Sequence, residues 1–228
     1  MSWQKILSRV LEQKLKELGK DPKNVSDLLF LQDNKISLDN HIQSFEYLLK
    51  RDPKKVLEVG CGNGSVLKLF SERGSKVFGT DYVEKSIEIC KKVMPTDHFK
   101  ACEASIVPFD ESFDLILSNS VFQYFESWEY TENVIKKLIS HLEDDGLLVI
   151  SDIPSEIDKE NLIDLRRSNL GLSRSEWDKR YKGLPQQYYD EAILDEFISS
   201  LGFQSEIVRP SSYKSEHQIY KIDVLIYK

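Results

Sequence analysis

The chain has 228 residues, of which 40% are hydrophobic and 30% charged, so its length and composition are those of one globular domain. Its formal net charge is −7 and its isoelectric point about 5.3. This overall negative charge argues against the extended basic surface of a nucleic-acid-binding protein. Its three cysteines include no C-x-x-C pair. This argues against a disulfide framework and against a zinc site, and favours a reducing cytoplasm.

The first twenty residues predict an amphipathic helix that ends at Gly19. They contain charges throughout and no apolar core of a signal peptide, and no stretch of the sequence is apolar enough to span a membrane. We therefore expect a soluble, cytoplasmic protein. The apolar face of the helix is expected to pack on the protein itself, with a membrane-surface helix as the minority interpretation. The apolar residues at helical spacing are Trp3, Ile6, Leu7, Val10, Leu11, Leu15 and Leu18.

A second helix is predicted over 37–50, starting on a Ser or Asp cap and ending before Pro53.

Beyond residue 54, short apolar runs alternate with helical segments. Strands then follow at 55–60, 76–81, 98–102, 113–119 and 146–152, with helices between them at 65–74, 83–94 and 126–141. Strands joined by crossover helices indicate an α/β fold with a doubly wound parallel sheet.

The end of the chain departs from this alternation. Strands are predicted at 202–208 and 218–228, and the ten or so residues between them leave no room for a crossover helix. These two strands must therefore pair antiparallel. The connection over 153–201 is longer than one crossover helix needs, which is typical of a lid or a binding loop.

The sequence "VLEVGCGNGSVL" (56–67) places three glycines where a buried strand turns into a helix. Glycine there permits a tight turn and lets a ligand approach backbone N–H groups. The spacing is G-x-G-x-G, and Ser65 occupies the position of the third glycine of the dinucleotide-binding pattern G-x-G-x-x-G. This difference counts only weakly against a dinucleotide.

Two acidic residues favour another ligand. Glu58 precedes the first glycine by two residues, where it would repel a pyrophosphate and attract a cation. Asp81 ends the second predicted strand, where a carboxylate can accept hydrogen bonds from both hydroxyls of an adenosine ribose. The pattern therefore favours an adenosine that carries positive charge.

Four motifs in this order resemble those of the class I S-adenosylmethionine-dependent methyltransferases. They are "VLEVGCGNG", "VFGTDYVEKSIEICKK", "FDLILSNSVFQYF" and "LEDDGLLVISD", and together they cover about residues 54–152. The resemblance implies a seven-stranded sheet of order 3-2-1-4-5-7-6 with the last strand antiparallel, N-terminal helices and a helical insertion before the sixth strand. It implies S-adenosyl-L-methionine as the cofactor. It also implies one methyltransferase domain over 1–228, with a helical cap at 1–50, a cofactor-binding core at 54–152, an insertion or lid at 153–201 and a strand pair at 202–228.

The resemblance also implies roles for individual residues. The glycines would pass under the methionine and ribose of the cofactor, Glu58 would lie near its ammonium group, and Asp81 would hold the ribose hydroxyls. Glu103 would hydrogen-bond to the edge of the adenine, although a solvated loop carboxylate is an equally good interpretation. Cys61 is better explained as a small residue that packs in the loop than as a nucleophile. The implied cofactor-binding residues are Glu58, Gly60, Cys61, Gly62, Asn63, Gly64, Asp81, Tyr82, Val83, Glu103, Ala104 and Asn119.

The methyl acceptor is less well determined by the sequence. Methyl transfer from a sulfonium needs alignment and exclusion of water, and a base only if the acceptor must lose a proton. Asp152 is the first candidate for such a base and His41 a weaker one, but neither is assigned as catalytic. The aromatic segments 120–128 and 173–190 could form the acceptor pocket, with core or surface packing as the alternative. The candidate substrate-binding residues are Gln123, Tyr124, Asp152, Tyr181 and Tyr188, with Tyr189 as a further possibility.

Several alternatives remain at this point. The tetrapeptide of the "NPPY" type, which the resemblance leads us to expect in enzymes that methylate base or amide nitrogens, is replaced by "SNSV" (118–121). We therefore expect a small-molecule acceptor, without nucleic acid, membrane or metal, and in an undetermined oligomeric state. A nicotinamide-dependent oxidoreductase and an inactive cofactor-binding protein of the same fold are the alternatives.

Overall fold

A computed structural model describes residues 2–31, 38–96, 98–209 and 218–228. Its centre is a seven-stranded sheet of order β3-β2-β1-β4-β5-β7-β6, which confirms the predicted fold class and strand order. The strands are β1 Lys55–Val59, β2 Lys76–Asp81, β3 Phe99–Ala101, β4 Phe113–Asn119, β5 Leu142–Pro154, β6 Gln204–Val208 and β7 Lys221–Tyr227. Strands β1 to β5 pair in parallel, and β7 runs antiparallel to both of its neighbours, β5 and β6.

The helices flank this sheet. They are α1 Trp3–Leu18, α2 Val25–Leu31, α3 Leu38–Leu49, α4 Ser65–Ser71, α5 Glu84–Val93, α6 Trp128–Ile139, α7 Lys159–Asn169, α8 Arg174–Tyr181 and α9 Glu191–Ser200. Helix α2 was not predicted, because its seven residues are too few to display a helical period. The predicted Ser cap of α3, at position 37, lies outside the described residues. The long connection before β6 contains α7, α8 and α9, and is therefore helical as predicted.

Hydrophobic cores lie on both faces of the sheet. One core contains side chains of α3, α4 and α5, and the other contains side chains of α6 and α9. The strands between them are buried on both faces, which explains why β1 and β4 read as nearly continuous apolar runs. The sheet is thus doubly wound.

Helix α1 packs on the protein through its apolar face, in agreement with the packing interpretation. Leu11 is buried in a cluster with Leu28, Leu31, Val83 and Ile89, which belong to α2 and to the region of α5. Within the described ranges, no helix is both long enough and apolar enough to cross a membrane.

Strand β5 contains an irregularity near its carboxyl end. Its register with β7 shifts between Ile150 and Ile153, so that Ser151 and Asp152 together oppose Asp223. Asp152 has a φ of 60°, as has Ser120 just after β4. Bulges of this kind redirect a side chain, and non-glycine residues with positive φ concentrate at functional sites.

Candidate functional site

A cavity of about 1070 Å³ lies along the carboxyl ends of the parallel strands. Its walls come from the glycine loop, the ends of β2, β4 and β5, the start of β7, helices α1 and α3, and the insertion. Ligands bind at this edge in open α/β sheets, because the crossover connections diverge there. Tyr181, Tyr188 and Tyr189 do not line the cavity, whereas the other residues predicted to bind cofactor or substrate do, apart from Gly64.

The glycine loop forms the floor of one half of the cavity. Gly60, Gly62 and Gly64 all have positive φ, at 75°, 51° and 82°. A Cβ atom on Gly60 would lie 2.2 Å from Cγ2 of Val121, whereas one on Gly62 would meet nothing within 4 Å. Gly60 therefore has no room for a side chain, and the backbone of Gly62 is open to an approaching molecule. The side chain of Asn63 ties the loop to α2 by donating to the carbonyl of Leu28 at 2.7 Å.

Glu58 lies on β1, directly before this loop. Its side chain is buried, and its Oε2 atom has no hydrogen-bond partner among the described residues. Burial raises the pKa of Glu58 well above its ordinary value, the negative charge of Asp81 raises it further, and the backbone N–H of Leu67 opposes both effects. A cation beside Glu58 would favour the charged carboxylate and so lower this pKa.

Asp81, at the end of β2, is held by two backbone hydrogen bonds. Its Oδ2 accepts from the N–H of Gly62 at 2.9 Å and its Oδ1 from the N–H of Val83 at 2.8 Å. Burial raises the pKa of Asp81, and these two N–H groups partly offset the effect. The carboxylate therefore faces the cavity in a fixed orientation.

The adjoining wall is formed by Tyr82, Val83, Glu103 and Ala104. The hydroxyl of Tyr82 is buried without a partner among the described residues, and burial raises its pKa. Glu103 is exposed at the rim. Cys61 is buried in the loop, where the adjacent Cys90 side chain and then burial raise its pKa. Its thiol is thus disfavoured as a nucleophile.

The other half of the cavity contains a polar cluster that sequence reasoning mostly missed. Lys221 donates to Oδ2 of Asp152 at 2.6 Å, and Ser120 donates to the same oxygen atom. The bulge takes the backbone N–H of Asp152 out of the strand pairing, and this N–H donates to Oδ1 of Asp223 at 2.7 Å. Asn119 accepts a hydrogen bond from Ser151 at 2.9 Å, which joins the ends of β4 and β5.

The predicted substrate residues divide into two groups. Gln123 and Tyr124 line the cavity, and the ring of Tyr124 lies 4.9 Å from that of Trp3. Tyr181 instead packs between Trp3 and Trp177, behind the wall. Tyr188 lies beneath the amino group of Lys159, and its hydroxyl donates to Gln186.

Tyr189, the further possibility among the tyrosines, is a core residue. It is 1% exposed, and its hydroxyl donates to the carbonyl of Phe122 at 2.8 Å. The prediction that it faces the pocket is therefore wrong. An isolated parallel bridge pairs Tyr189 with Ser155, the residue that follows β5.

His41, the weaker candidate for a base, lies on α3 with its ring edge against Phe45. It lines the cavity, and burial lowers its pKa, partly offset by a hydrogen bond with the backbone of Ser65. Its Nε2 has no partner among the described residues.

Unpartnered buried polar atoms concentrate around this cavity. Among the described residues they include Nε2 of His41, Oε2 of Glu58, the hydroxyl of Tyr82 and Oδ1 of Asp152, and all four residues line it. Because native proteins satisfy nearly all buried polar groups, such a cluster indicates that a polar ligand completes the site. The described residues contain no group of three or more side chains that could hold a metal ion.

Comparison with known proteins agrees with this geometry. The family described as "Methyltransferase domain" matches residues 34–204. An uncharacterised methyltransferase of Staphylococcus carnosus is 25% identical over 181 residues, which are 76% of this chain and 82% of that protein. A malonyl-[acyl-carrier protein] O-methyltransferase of Bacillus cereus is 29% identical over 110 residues, which are 46% of this chain and 40% of that enzyme. A chondramide synthase of Chondromyces crocatus is 32% identical over 122 residues, and the chain spans 3% of its length.

Solved structures share the fold. The plantazolicin methyltransferase BpumL superposes with a TM-score of 0.63 at 15% identity, over 99% of this chain and 98% of that one. An S-adenosylmethionine-dependent methyltransferase of Clostridium acetobutylicum gives a TM-score of 0.62 at 12% identity, over 85% and 92% of the two chains. With the matching family, the sheet order and the acid-flanked glycine loop taken together, this chain belongs to the class I S-adenosylmethionine-dependent methyltransferases.

Proposed function

We propose that this protein transfers the methyl group of S-adenosylmethionine to an oxygen or nitrogen atom of a small-molecule acceptor. The observation that carries the proposal is the unpartnered carboxylate oxygen of Glu58, buried beside Asp81 and the open backbone of Gly62 in one cavity. A buried anion needs a counter-charge, and the amino group of the cofactor would supply it.

The half of the cavity around the glycine loop would hold the cofactor. Glu58 would accept from the ammonium group, Asp81 would accept from the ribose hydroxyls, and Tyr82 and Val83 would pack on the adenine. When bound, the cofactor supplies an electrophilic methyl group on a sulfonium. The proposed contact residues are Glu58, Gly60, Cys61, Gly62, Asn63, Asp81, Tyr82, Val83, Glu103, Ala104 and Asn119, while Gly64, which does not line the cavity, would only shape the turn.

The half around Asp152 would hold the acceptor. The bulge and the positive φ of Asp152 turn its carboxylate toward Ser120 and Lys221, and its Oδ1 has no partner among the described residues. This oxygen would accept the hydrogen of an acceptor O–H or N–H group, and so take up the proton that the nucleophile loses on methylation. Gln123 and Tyr124 would orient the acceptor beside it.

Both the enclosure and the relatives favour a small acceptor. Trp3 of α1 donates to the carbonyl of Pro185 at 2.6 Å, so α1 and the insertion meet over the cavity. A volume of about 1070 Å³ is at the upper end for a site of one small ligand, and suits a cofactor with a small partner. The relatives include an enzyme named for a malonyl group on an acyl-carrier protein and one named a chondramide synthase.

Calorimetry tests the cofactor part of this proposal. We expect S-adenosylmethionine and its demethylated product S-adenosylhomocysteine to bind, and NAD not to bind. Binding of NAD alone would instead support the oxidoreductase alternative, and cofactor binding without methyl transfer to any of a broad set of metabolites would support the inactive alternative.

Asp152→Asn tests the acceptor part. Asn tolerates a positive φ, so the bulge should survive while the proton acceptor is lost. Methyl transfer from labelled cofactor into a metabolite extract should fall about a hundredfold, with unchanged affinity for S-adenosylhomocysteine. Asp145→Asn, an exposed acid on the same strand, is the control. Equal turnover of the two variants would exclude Asp152 as a proton acceptor.

A further inference from the structure

Arg166 on α7 lines the acceptor half of the cavity, and its side chain is half-buried. Its one polar contact among the described residues is a weak hydrogen bond, from Nη2 to Oε1 of Gln123 at 3.4 Å. In the described part of the chain, no carboxylate oxygen lies within 4.0 Å of its guanidinium nitrogens. A guanidinium has five N–H donors, so most of the donor capacity of Arg166 is unused.

Three other arginines of this region pair with carboxylates, and a fourth, Arg180 on α8, is exposed and lies 5.8 Å from the ring centre of Tyr181. Arg167 pairs with Asp164 at 2.8 Å, Arg174 with Glu160 at 2.6 Å and Arg209 with Asp158 at 2.6 Å. None of these other arginines lines the cavity, whereas Arg166 lines it and has no carboxylate partner among the described residues. Desolvating a cation without a counter-ion is costly, and a ligand anion would remove the cost.

The remaining charges of the acceptor half do not supply that anion. Asp152 is already paired with Lys221 at 2.6 Å, and Asp223 accepts the N–H of Asp152. Neither carboxylate is an ion-pair partner of Arg166 among the described residues, so its guanidinium is open to a negatively charged group of a ligand. A carboxylate fits the planar fork of a guanidinium through two parallel hydrogen bonds, whereas a phosphate dianion would need a second cation.

Arg166 is also connected to the proposed proton acceptor. Gln123 accepts from Arg166 through Oε1 and donates through Nε2 to the carbonyl of Ser120 at 3.2 Å. The hydroxyl of Ser120 in turn donates to Asp152. These hydrogen bonds connect Arg166 to Asp152 through Gln123 and Ser120 along one wall of the cavity. A molecule anchored at Arg166 would therefore extend toward Asp152.

We propose that the methyl acceptor is a small carboxylic acid whose carboxylate is anchored by Arg166, and that the methyl group goes to a different O–H or N–H group of the same molecule. This rests on the proposed function. A carboxylate held by a guanidinium is a poor nucleophile, because the two hydrogen bonds stabilise the charge that would attack the methyl group. The methylated product therefore keeps its free carboxylate, and the proton lost by the nucleophile passes to Asp152.

Matched probe pairs test the anchor without a known acceptor. Binding of 4-hydroxybenzoate and 4-hydroxybenzamide, and of N-acetylglycine and N-acetylglycinamide, is measured by calorimetry on the protein saturated with S-adenosylhomocysteine. We expect at least one acid to bind ten or more times more tightly than its amide. R166Q should abolish the difference, R166K should retain part of it, and the matched control R167Q on the same helix should retain all of it. If no acid binds more tightly than its amide, or if R166Q preserves the preference, the proposal is wrong.

The products of labelled methyl transfer into a metabolite extract give a second test. Separated by anion exchange at neutral pH, the labelled products should be retained as acids, and R166Q should lower their yield at least tenfold while its affinity for S-adenosylhomocysteine stays at the wild-type value. Label in neutral or cationic products alone would overturn the carboxylate anchor and leave the methyltransferase function intact. Failure of the protein to bind the cofactor at all would instead overturn the proposed function.

Discussion

The carboxyl group of Glu58 is buried beneath the glycine loop with one oxygen atom unpartnered. Burial raises the pKa of Glu58 above its ordinary value of 4.5, so the folded protein holds this proton more tightly than the unfolded chain does. The stability that Glu58 contributes is therefore fully present below the unfolded pKa, and it is lost as the pH rises toward the folded pKa. At neutral pH the ligand-free protein is therefore destabilised by the residue that we propose to bind the ammonium group of the cofactor.

Glu58→Gln should separate stability from binding. The ligand-free variant should be more stable than the wild type at pH 7 by about 1–3 kcal/mol, with the difference shrinking toward pH 4, where the wild-type carboxyl is also neutral. Its affinity for S-adenosylmethionine should fall about ten- to a hundredfold, since a charge-assisted hydrogen bond is lost. Calorimetric unfolding at both pH values and binding titrations measure these effects.

The control for this change is Glu72→Gln, an exposed glutamate just beyond α4 that pairs with Lys68. It should alter stability at pH 7 by less than about 0.5 kcal/mol and leave binding unchanged. A Glu58→Gln protein that is less stable than the wild type at pH 7, or that binds cofactor equally well, would contradict the role given to Glu58.

At the scale of the elements, the pairing of β5 with β7 positions the polar side chains of the proposed acceptor site. The bulge at Ser151 and Asp152 takes the N–H of Asp152 out of the ladder, and the side chain of Asp223 replaces the missing acceptor at 2.7 Å. Lys221 and Asp223 lie two residues apart and so share one face of β7. One strand thus supplies both the counter-charge and the positioning group of Asp152.

Replacing Asp223 tests this arrangement. Asp223→Asn keeps an amide oxygen that can accept the N–H of Asp152, so we expect a loss of stability below about 1 kcal/mol. Asp223→Leu leaves the buried N–H unpaired and should cost about 1–3 kcal/mol, or a fall in Tm of about 2–4 °C for each kcal/mol. Thermal unfolding of both variants measures the difference. Equal losses would mean that the hydrogen bond to the bulge is not what Asp223 contributes.

The same elements show what the sequence could and could not predict. The strands were predictable because apolar runs and helical periods are local features, whereas their order followed from the resemblance to the methyltransferase family. Lys221 and Asp223 alternate with apolar residues, a pattern typical of the exposed side of a strand. However, β7 lies inside the sheet, and both residues are buried at 7% exposure. Their burial depends on the partner strands and the cavity, which alternation does not specify.

The insertion was the least predictable part of the site. Tyr188 and Tyr189 are adjacent and chemically identical, yet one lies under Lys159 and the other is buried against Phe122. Arg166 had no local signal, since charged residues are frequent throughout α7. Which side chain faces the cavity is decided by how α7 and α8 pack on the sheet.

At the scale of the whole molecule, the cavity lies where three parts of the chain meet. Helix α1 contacts the half of the cavity around the glycine loop, where Gln4 donates to the carbonyl of Tyr82 at 2.6 Å. It also contacts the insertion, where Trp3 donates to the carbonyl of Pro185. The sheet supplies the remaining walls. A ligand in this cavity would contact all three parts and couple their stabilities.

S-adenosylhomocysteine should therefore stabilise the whole protein rather than the sheet alone. At a ligand concentration one hundred times the Kd, linkage predicts about 2.7 kcal/mol of added stability, or a rise in Tm of about 5–10 °C for a chain of this size. Proteolytic cleavage within residues 1–20 should also slow, because α1 closes over the bound molecule. NAD at the same concentration is the control and should change neither quantity. A rise in Tm without protection of α1 from proteolysis would show that ligand binding does not involve α1, and would contradict its role as a cap over the binding site.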